Sequence, residues 1–183
     1  MNQINAKPFP TISTERLNLR QLMAEDEEDI LKLRADESVS RYISRIPYKT
    51  IEEARAFITK INNGINEQGW LYWAITLKGQ KNVIGTLCLW NFSKDNFRAE
   101  IGYELRPEFQ GQGYGQEAVA AAVALCFNQL KLHSIEAVVY PDNAASIKLL
   151  ERNGFVREGY FKEKDFFDGK FIDTAIYSLL NPS

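Results

Sequence analysis

From Trp70 to Arg106 the chain reads as three runs of aromatic and β-branched residues separated by short polar stretches, and this block limits its possible folds more than any other segment. The runs are Trp70 to Leu77, Val83 to Trp90 and Arg98 to Arg106, with Lys78-Gly79-Gln80-Lys81 and Ser93-Lys94-Asp95-Asn96 between them. Such residues fit a pleated, half-buried surface, and connections this short join antiparallel neighbours. The block is therefore predicted to be an antiparallel meander.

Beyond it the pattern changes. Gly115 to Leu130 is apolar at helical spacing, Ile135 to Tyr140 reads as a strand, and Ala144 to Arg152 as a helix closed by Asn153-Gly154. Strand, helix, strand, helix implies a parallel crossover. Upstream, Leu17 to Leu22 alternates as a strand. Ala24 to Ala35 follows as a helix, in which the acidic run Glu25 to Asp29 reads as a favourable first turn. Thr50-Ile51-Glu52-Glu53 has the form of a capping box opening a second helix. The tail, Val156 to Leu180, reads as two strands around Asp168-Gly169-Lys170. The sum is an α/β fold with a mixed, largely antiparallel central sheet flanked by helices.

A length of 183 residues suits one domain, taken here as 1–183 with a core from about 14 to 180. An apolar fraction of 45% with no long apolar run excludes a membrane-spanning role. Met1 to Pro10 lacks the apolar core of a signal peptide, so cytoplasmic residence is expected. A net charge of -2 argues against nucleic acid as the partner. Cys88 and Cys126 fall in apolar runs and read as buried free thiols, and a lone histidine, His133, gives no metal site. Nothing separates a monomer from a homodimer.

Between the last meander strand and the next helix lies Gln110-Gly111-Gln112-Gly113-Tyr114-Gly115. Glycines there leave backbone N–H groups unobstructed, and a helix N-terminus adds its positive end, the physics of an anion cradle. A sharp connection needs the same glycines, so both readings stand. The segment is not a P-loop, because Gln116 and Glu117 follow Gly115, and its GxGxG spacing is not the dinucleotide GxGxxG.

Its pattern, Gln/Arg-x-x-Gly-x-Gly/Ala at Gln110, Gly113 and Gly115, resembles that of the GNAT acetyltransferase superfamily. The resemblance extends to Phe97–Pro107 as the strand entering the loop and to Asn143-x-x-Ser146 followed by Gly154-Phe155 downstream. Thr14-Glu15-Arg16-Leu17-Asn18-Leu19-Arg20 is similar to the opening of the ribosomal-protein-alanine N-terminal acetyltransferase group. The resemblance implies a GNAT-type fold and acetyl-CoA as cosubstrate. It implies that Gln110, Gly111, Gln112, Gly113, Tyr114 and Gly115 hold the pyrophosphate, with Tyr103, Leu105 and Arg106 along the pantetheine arm and Asn143 as a further contact. It also implies an amine acceptor, a protein N-terminal α-amine in that group, with polyamines, amino acids or antibiotic amines as the alternative and a non-catalytic acyl-CoA sensor as a third reading.

Amine acetylation needs a neutral amine and a proton for the departing thiolate. Alternation puts Glu100, Gly102 and Glu104 on one strand face. The resemblance implies Glu100 as the base, since it stands ten residues before Gln110, where family members with a glutamate base commonly carry it; a structural ion pair is the other reading of Glu100, and Glu104 is the alternative base. Asn143 suits helix capping as well as a ligand contact. Where many family members carry a tyrosine acid this chain has Leu150, and the resemblance to the ribosomal N-terminal acetyltransferase group implies Ser146 as the hydrogen-bonding partner of the departing sulfur. Trp70, Tyr72, Trp73, Trp90, Phe92, Tyr103, Phe166 and Phe167 read mainly as sheet packing, with an acceptor pocket as the other possibility.

Overall fold

A computed structural model describes residues 8–182; most of the segment read against a signal peptide lies outside them, as does Ser183. Eight strands and five α-helices follow one another as β1 (Ile12–Ser13), β2 (Leu17–Gln21), α1 (Glu27–Ala35), α2 (Glu37–Ser40), α3 (Ile51–Gln68), β3 (Leu71–Leu77), β4 (Val83–Ser93), β5 (Arg98–Leu105), α4 (Tyr114–Asn128), β6 (Ser134–Val139), α5 (Ala144–Arg152), β7 (Val156–Phe167) and β8 (Lys170–Leu180). Short 3-10 turns precede α1 and α4.

The strands form one sheet in the order β1-β2-β3-β4-β5-β6-β8-β7. Among the described residues only β5 and β6 pair in parallel, and α4 is the crossover between them. Alternation along β3 explains the layering. Leu71, Trp73 and Ile75 enter one core with α4, β6 and Leu150 of α5, whereas Tyr72 and Ala74 enter a second with α1 and α3. A strand buried on both faces needs helices on both, so the sheet is the middle of three layers.

Local signals place the helix ends as read from sequence. The Thr50 hydroxyl accepts from the Glu53 N–H while the Glu53 carboxylate accepts from the Thr50 N–H, and Gly69 ends α3 at φ 72°. The Asn143 side chain accepts from the Ser146 N–H at 3.1 Å and opens α5. Both cysteines are free, Cys126 fully buried and Cys88 partly.

The acidic run opens α1 as expected and has a second role. Asp26 is buried and pairs with Arg20 at 2.7 Å, and Asp29 is buried, accepting from the Val83 N–H at 2.8 Å and pairing with Arg106 at 3.2 Å. These carboxylates tie α1 to β2, β4 and the end of β5 rather than only facing water at a helix start. The aromatic residues also divide: Trp73 and Tyr72 are core, while Trp90 and Phe166 are exposed.

Candidate active site

Pairing of β5 with β6 covers Arg98↔Ser134, Ala99↔Ile135 and Glu100↔Glu136 and then stops. Beyond it β5 runs on along β4 as far as Gly85↔Leu105, while β6 follows β8 as far as Val139↔Ala175. The two strands therefore splay, and backbone amides of β5 face a gap instead of a partner. Unpaired strand edges are suited to an extended ligand that carries its own amides.

The first turn of α5 stands beside this gap. The Tyr103 hydroxyl lies 2.8 Å from Ser146 Oγ and also donates to the Ser146 carbonyl at 3.3 Å. Burial pushes the Tyr103 hydroxyl up to about 12, against the opposing hydrogen bond from Ser146. Sequence reasoning had named both residues without linking them. Leu150, the position without a tyrosine, is buried in the core and also lines the cavity described below.

At the far end of β5 the Gly-rich turn enters α4. Gly111 (φ 72°) and Gly113 (φ 83°) are left-handed, and a Cβ at Gly111 would meet nothing within 4 Å. Gly113 is the N-cap, so the first amides of α4 have no partner in the helix. The Gln110 and Gln112 side chains turn back to donate to the carbonyls of Leu105 and Glu108, each at 2.8 Å, and leave the open side of the turn to backbone. Gly115 has a different basis: a Cβ there would lie 2.8 Å from Leu149 Cδ1 and 3.3 Å from Leu105 Cδ1, so the glycine permits α4, α5 and β5 to close-pack. The Arg106 side chain is held by Asp29 and Glu108, so only its backbone faces the turn.

Arg16 was not singled out from the sequence. Its guanidinium donates to the Gln112 carbonyl at 2.9 Å, pairs with Glu117 at 2.6 Å and lies 4.6 Å from the Tyr114 ring centroid. The Thr14 hydroxyl and the Arg16 N–H donate to the same Glu117 oxygen at 2.6 and 2.8 Å. Burial pushes the Glu117 carboxyl up, but these hydrogen bonds and the guanidinium outweigh it and hold the group below the usual carboxylate range. The Thr14-x-Arg16 opening is thus a clamp on the first turn of α4 that also sets a cation beside the glycines. A signal was present, since three polar residues near an expected anion cradle merit attention, but their partner lies 101 residues on.

On the opposite face of the sheet a cavity of about 630 Å³ lies between β4–β5 and the α1–α3 region and reaches the strand gap. Glu100, Gly102 and Glu104 all line it, together with Ile101 and Tyr103. The two carboxylates have unlike surroundings. Glu104 is buried and accepts from Arg45 at 2.8 Å, Arg34 at 3.2 Å and the Thr86 hydroxyl at 3.2 Å. Glu100 is partly exposed and accepts from the Asn91 amide at 2.8 Å, with no cation paired to it among the described residues. Asn91 reaches it because β4 bulges between Trp90 and Ser93, where Asn91 takes φ 47°. Of the two, the structural ion pair is Glu104.

Cys88 also lines the cavity, but burial and then Glu104 push its thiol up to about 12, which keeps it protonated and a poor nucleophile. The Ser44 and Tyr140 hydroxyls hydrogen-bond each other and join the segment after α2 to the end of β6. Among the described residues no His, Cys, Asp and Glu cluster could hold a metal, and no helix is long and apolar enough to cross a membrane.

The arrangement has an open strand edge, a glycine turn that would accept an anion, and a cavity with an accessible carboxylate where the strands part. These fit a pantetheine-bearing pyrophosphate on one side of a sheet and a nucleophile on the other. Comparison with known proteins agrees. A model of the acetyltransferase (GNAT) domain matches residues 16–156. N-acetyltransferase YoaA of Bacillus subtilis is 34% identical over 174 residues, covering 95% of this chain and 98% of the relative. The [ribosomal protein uS5]-alanine N-acetyltransferase of Escherichia coli is 32% identical over 122 residues, 66% of this chain and 63% of the relative. The crystal structure of spermidine N-acetyltransferase from Vibrio cholerae with CoA and spermine superposes with a TM-score of 0.80 at 27% identity, covering 92% of this chain and 97% of that one. A domain match over most of the chain and a relative aligned along nearly its whole length make this protein an acyltransferase of the GNAT acetyltransferase family.

Proposed function

We propose that the protein transfers an acetyl group from acetyl-CoA to the α-amine of a peptide or protein N-terminus. Acetyl-CoA supplies the activated acyl group as a thioester. The backbone of Gln112 to Gly115 would hold its pyrophosphate, with Gln110 and Gly111 shaping the turn and Arg16 adding positive charge. Tyr103, Leu105 and Arg106 would offer backbone along the gap, and Asn143 keeps the first turn of α5 in place.

Glu100 carries the reading. It is a carboxylate at the strand gap with no cation to occupy it, hydrogen-bonded only to Asn91 among the described residues. It would take the proton from the incoming amine, directly or through water. An α-amine has a reference pKa near 8, so about a tenth is neutral at pH 7, and a modest base suffices. The Tyr103–Ser146 hydroxyl pair stands on the other side of the gap and would hydrogen-bond the departing sulfur. The choice of α-amine over polyamine rests on Arg34 and Arg45, which share the one carboxylate of Glu104 and would face the second ammonium of a polyamine bound at Glu100.

Thiol release from acetyl-CoA tests the proposal with three acceptors: N-terminal peptides, spermidine and none. Turnover with peptides is expected, and turnover only with spermidine refutes the acceptor. Glu100→Gln should lower kcat by about 10²-fold or more while KM for acetyl-CoA stays the same. Nearly full kcat across pH 6 to 9 in that variant removes Glu100 from the mechanism.

A further inference from the structure

Where Arg34 and Arg45 line the cavity, two guanidiniums share a single carboxylate. Arg34 and Arg45 have side chains only 13% and 9% exposed, and both bond the single carboxylate of Glu104, itself 6% exposed. Among the described residues no second carboxylate pairs with either guanidinium, and the other partner of Glu104 is the neutral Thr86 hydroxyl. Arg45 also donates to Ser40 Oγ, while Arg34 lies 3.8 Å from the Phe57 ring centroid and 4.8 Å from that of Tyr48. The buried Nε of Arg34 has no hydrogen-bond partner among the described residues. Lys60 and Glu53, at the wall formed by α3, carry opposite charges and cancel.

A guanidinium cannot shed its proton to relieve this imbalance, and a buried ion without a counter-ion is costly. We infer that Arg34 and Arg45 form an anion subsite of the acceptor cavity, completed by a carboxylate that the acceptor brings. The inference rests on the peptide α-amine reading above and adds the chemistry of the peptide.

Spacing narrows the class further. Glu100 and Glu104 stand four residues apart on one face of β5, about 13 Å at ~3.3 Å per residue. With the amine at Glu100 and the anion at the guanidiniums that grip Glu104, amine and carboxylate are roughly 10 Å apart. The carboxylate of a free α-amino acid is too close to its amine to reach. An N-terminal peptide with Asp or Glu as its second or third residue spans it.

The probes are Ala-Gly-Glu-Gly-amide, its Gln and Lys counterparts, Ala-Glu-Gly-Gly-amide with its Gln counterpart, and spermidine, each assayed by thiol release. With amidated C-termini the side chain is the only difference in charge. In the wild type, kcat/KM for a Glu peptide should exceed that of its Gln counterpart by about ten- to hundredfold, the worth of one charge-assisted hydrogen bond, and the Lys peptide should be poorest. Arg34→Met leaves a neutral Arg45–Glu104 pair and keeps an apolar body against Phe57, and it should bring Glu and Gln peptides within about twofold of each other. Equal rates for Glu and Gln peptides in the wild type overturn the subsite and leave the peptide reading intact. So does a full preference for Glu in folded Arg34→Met. If that variant does not fold, the wild-type comparison decides. No turnover with any peptide overturns both readings.

Discussion

Replacing Glu104 by Gln isolates what the buried ion cluster contributes. The substitution keeps volume and shape, so no cavity opens, and the amide oxygen can still accept one of the bonds from Arg45 or Arg34. What it removes is the carboxylate charge between two guanidiniums. Deleting one member of a buried pair costs about 3–5 kcal/mol, and the retained hydrogen bond places this case near the lower end, at about 3 kcal/mol. For a chain of this size each kcal/mol moves Tm by about 2–4 °C, so Tm should fall by about 6–12 °C. Circular dichroism during heating, with urea unfolding at constant m as a check, measures it. Adding Arg45→Met should recover part of the loss, because the pair is coupled. Glu100→Gln serves as the contrast, with stability within about 0.5 kcal/mol of wild type, since it gives up only a partly exposed bond to Asn91. A Glu104→Gln protein melting within about 1 °C of wild type would refute the claim that this charge is buried and needed.

Gly113→Glu should abolish measurable CoA binding by calorimetry, because it puts an anion into the turn at φ 83°, while Gly113→Ala, with backbone strain and a Cβ 3.2 Å from the Arg16 guanidinium but no added charge, should bind more weakly but detectably; unchanged affinity in the Glu variant removes the turn from the site. Gly85→Ala would set a Cβ 2.3 Å from the Glu104 carbonyl oxygen and 2.5 Å from Leu105 Cδ2, prising β4 from the end of β5, and should destabilise by about 3 kcal/mol in urea; a change under about 0.5 kcal/mol contradicts the register. Glu117 has a depressed pKa in the folded state, so its stabilisation is fully present above the unfolded value of about 4.3 and is lost as pH falls through the folded one. Urea midpoints between pH 6 and 3 should fall more steeply for the wild type than for Glu117→Gln, and parallel curves dismiss the clamp.

The sequence determined by itself whatever depends on neighbours along the chain. Alternation put Glu100 and Glu104 on the same face; the capping residues Thr50, Glu53 and Asn143 set helix ends; and the glycines after β5 marked an open turn. These are short-range rules, satisfied by residues within a few positions of one another. Tertiary structure decided which of two equivalent carboxylates was free. Glu104 meets Arg34 and Arg45 from 70 and 59 residues upstream, and Glu100 meets only an amide at a strand bulge. The same holds for Asp26 and Asp29, which read as part of a favourable helix start and are also buried anchors, and for Glu117, claimed by Thr14 and Arg16. Periodicity reports the face on which a side chain lies, whereas its charge partner depends on how distant segments pack, and that is why the roles of these acids became legible only in the fold.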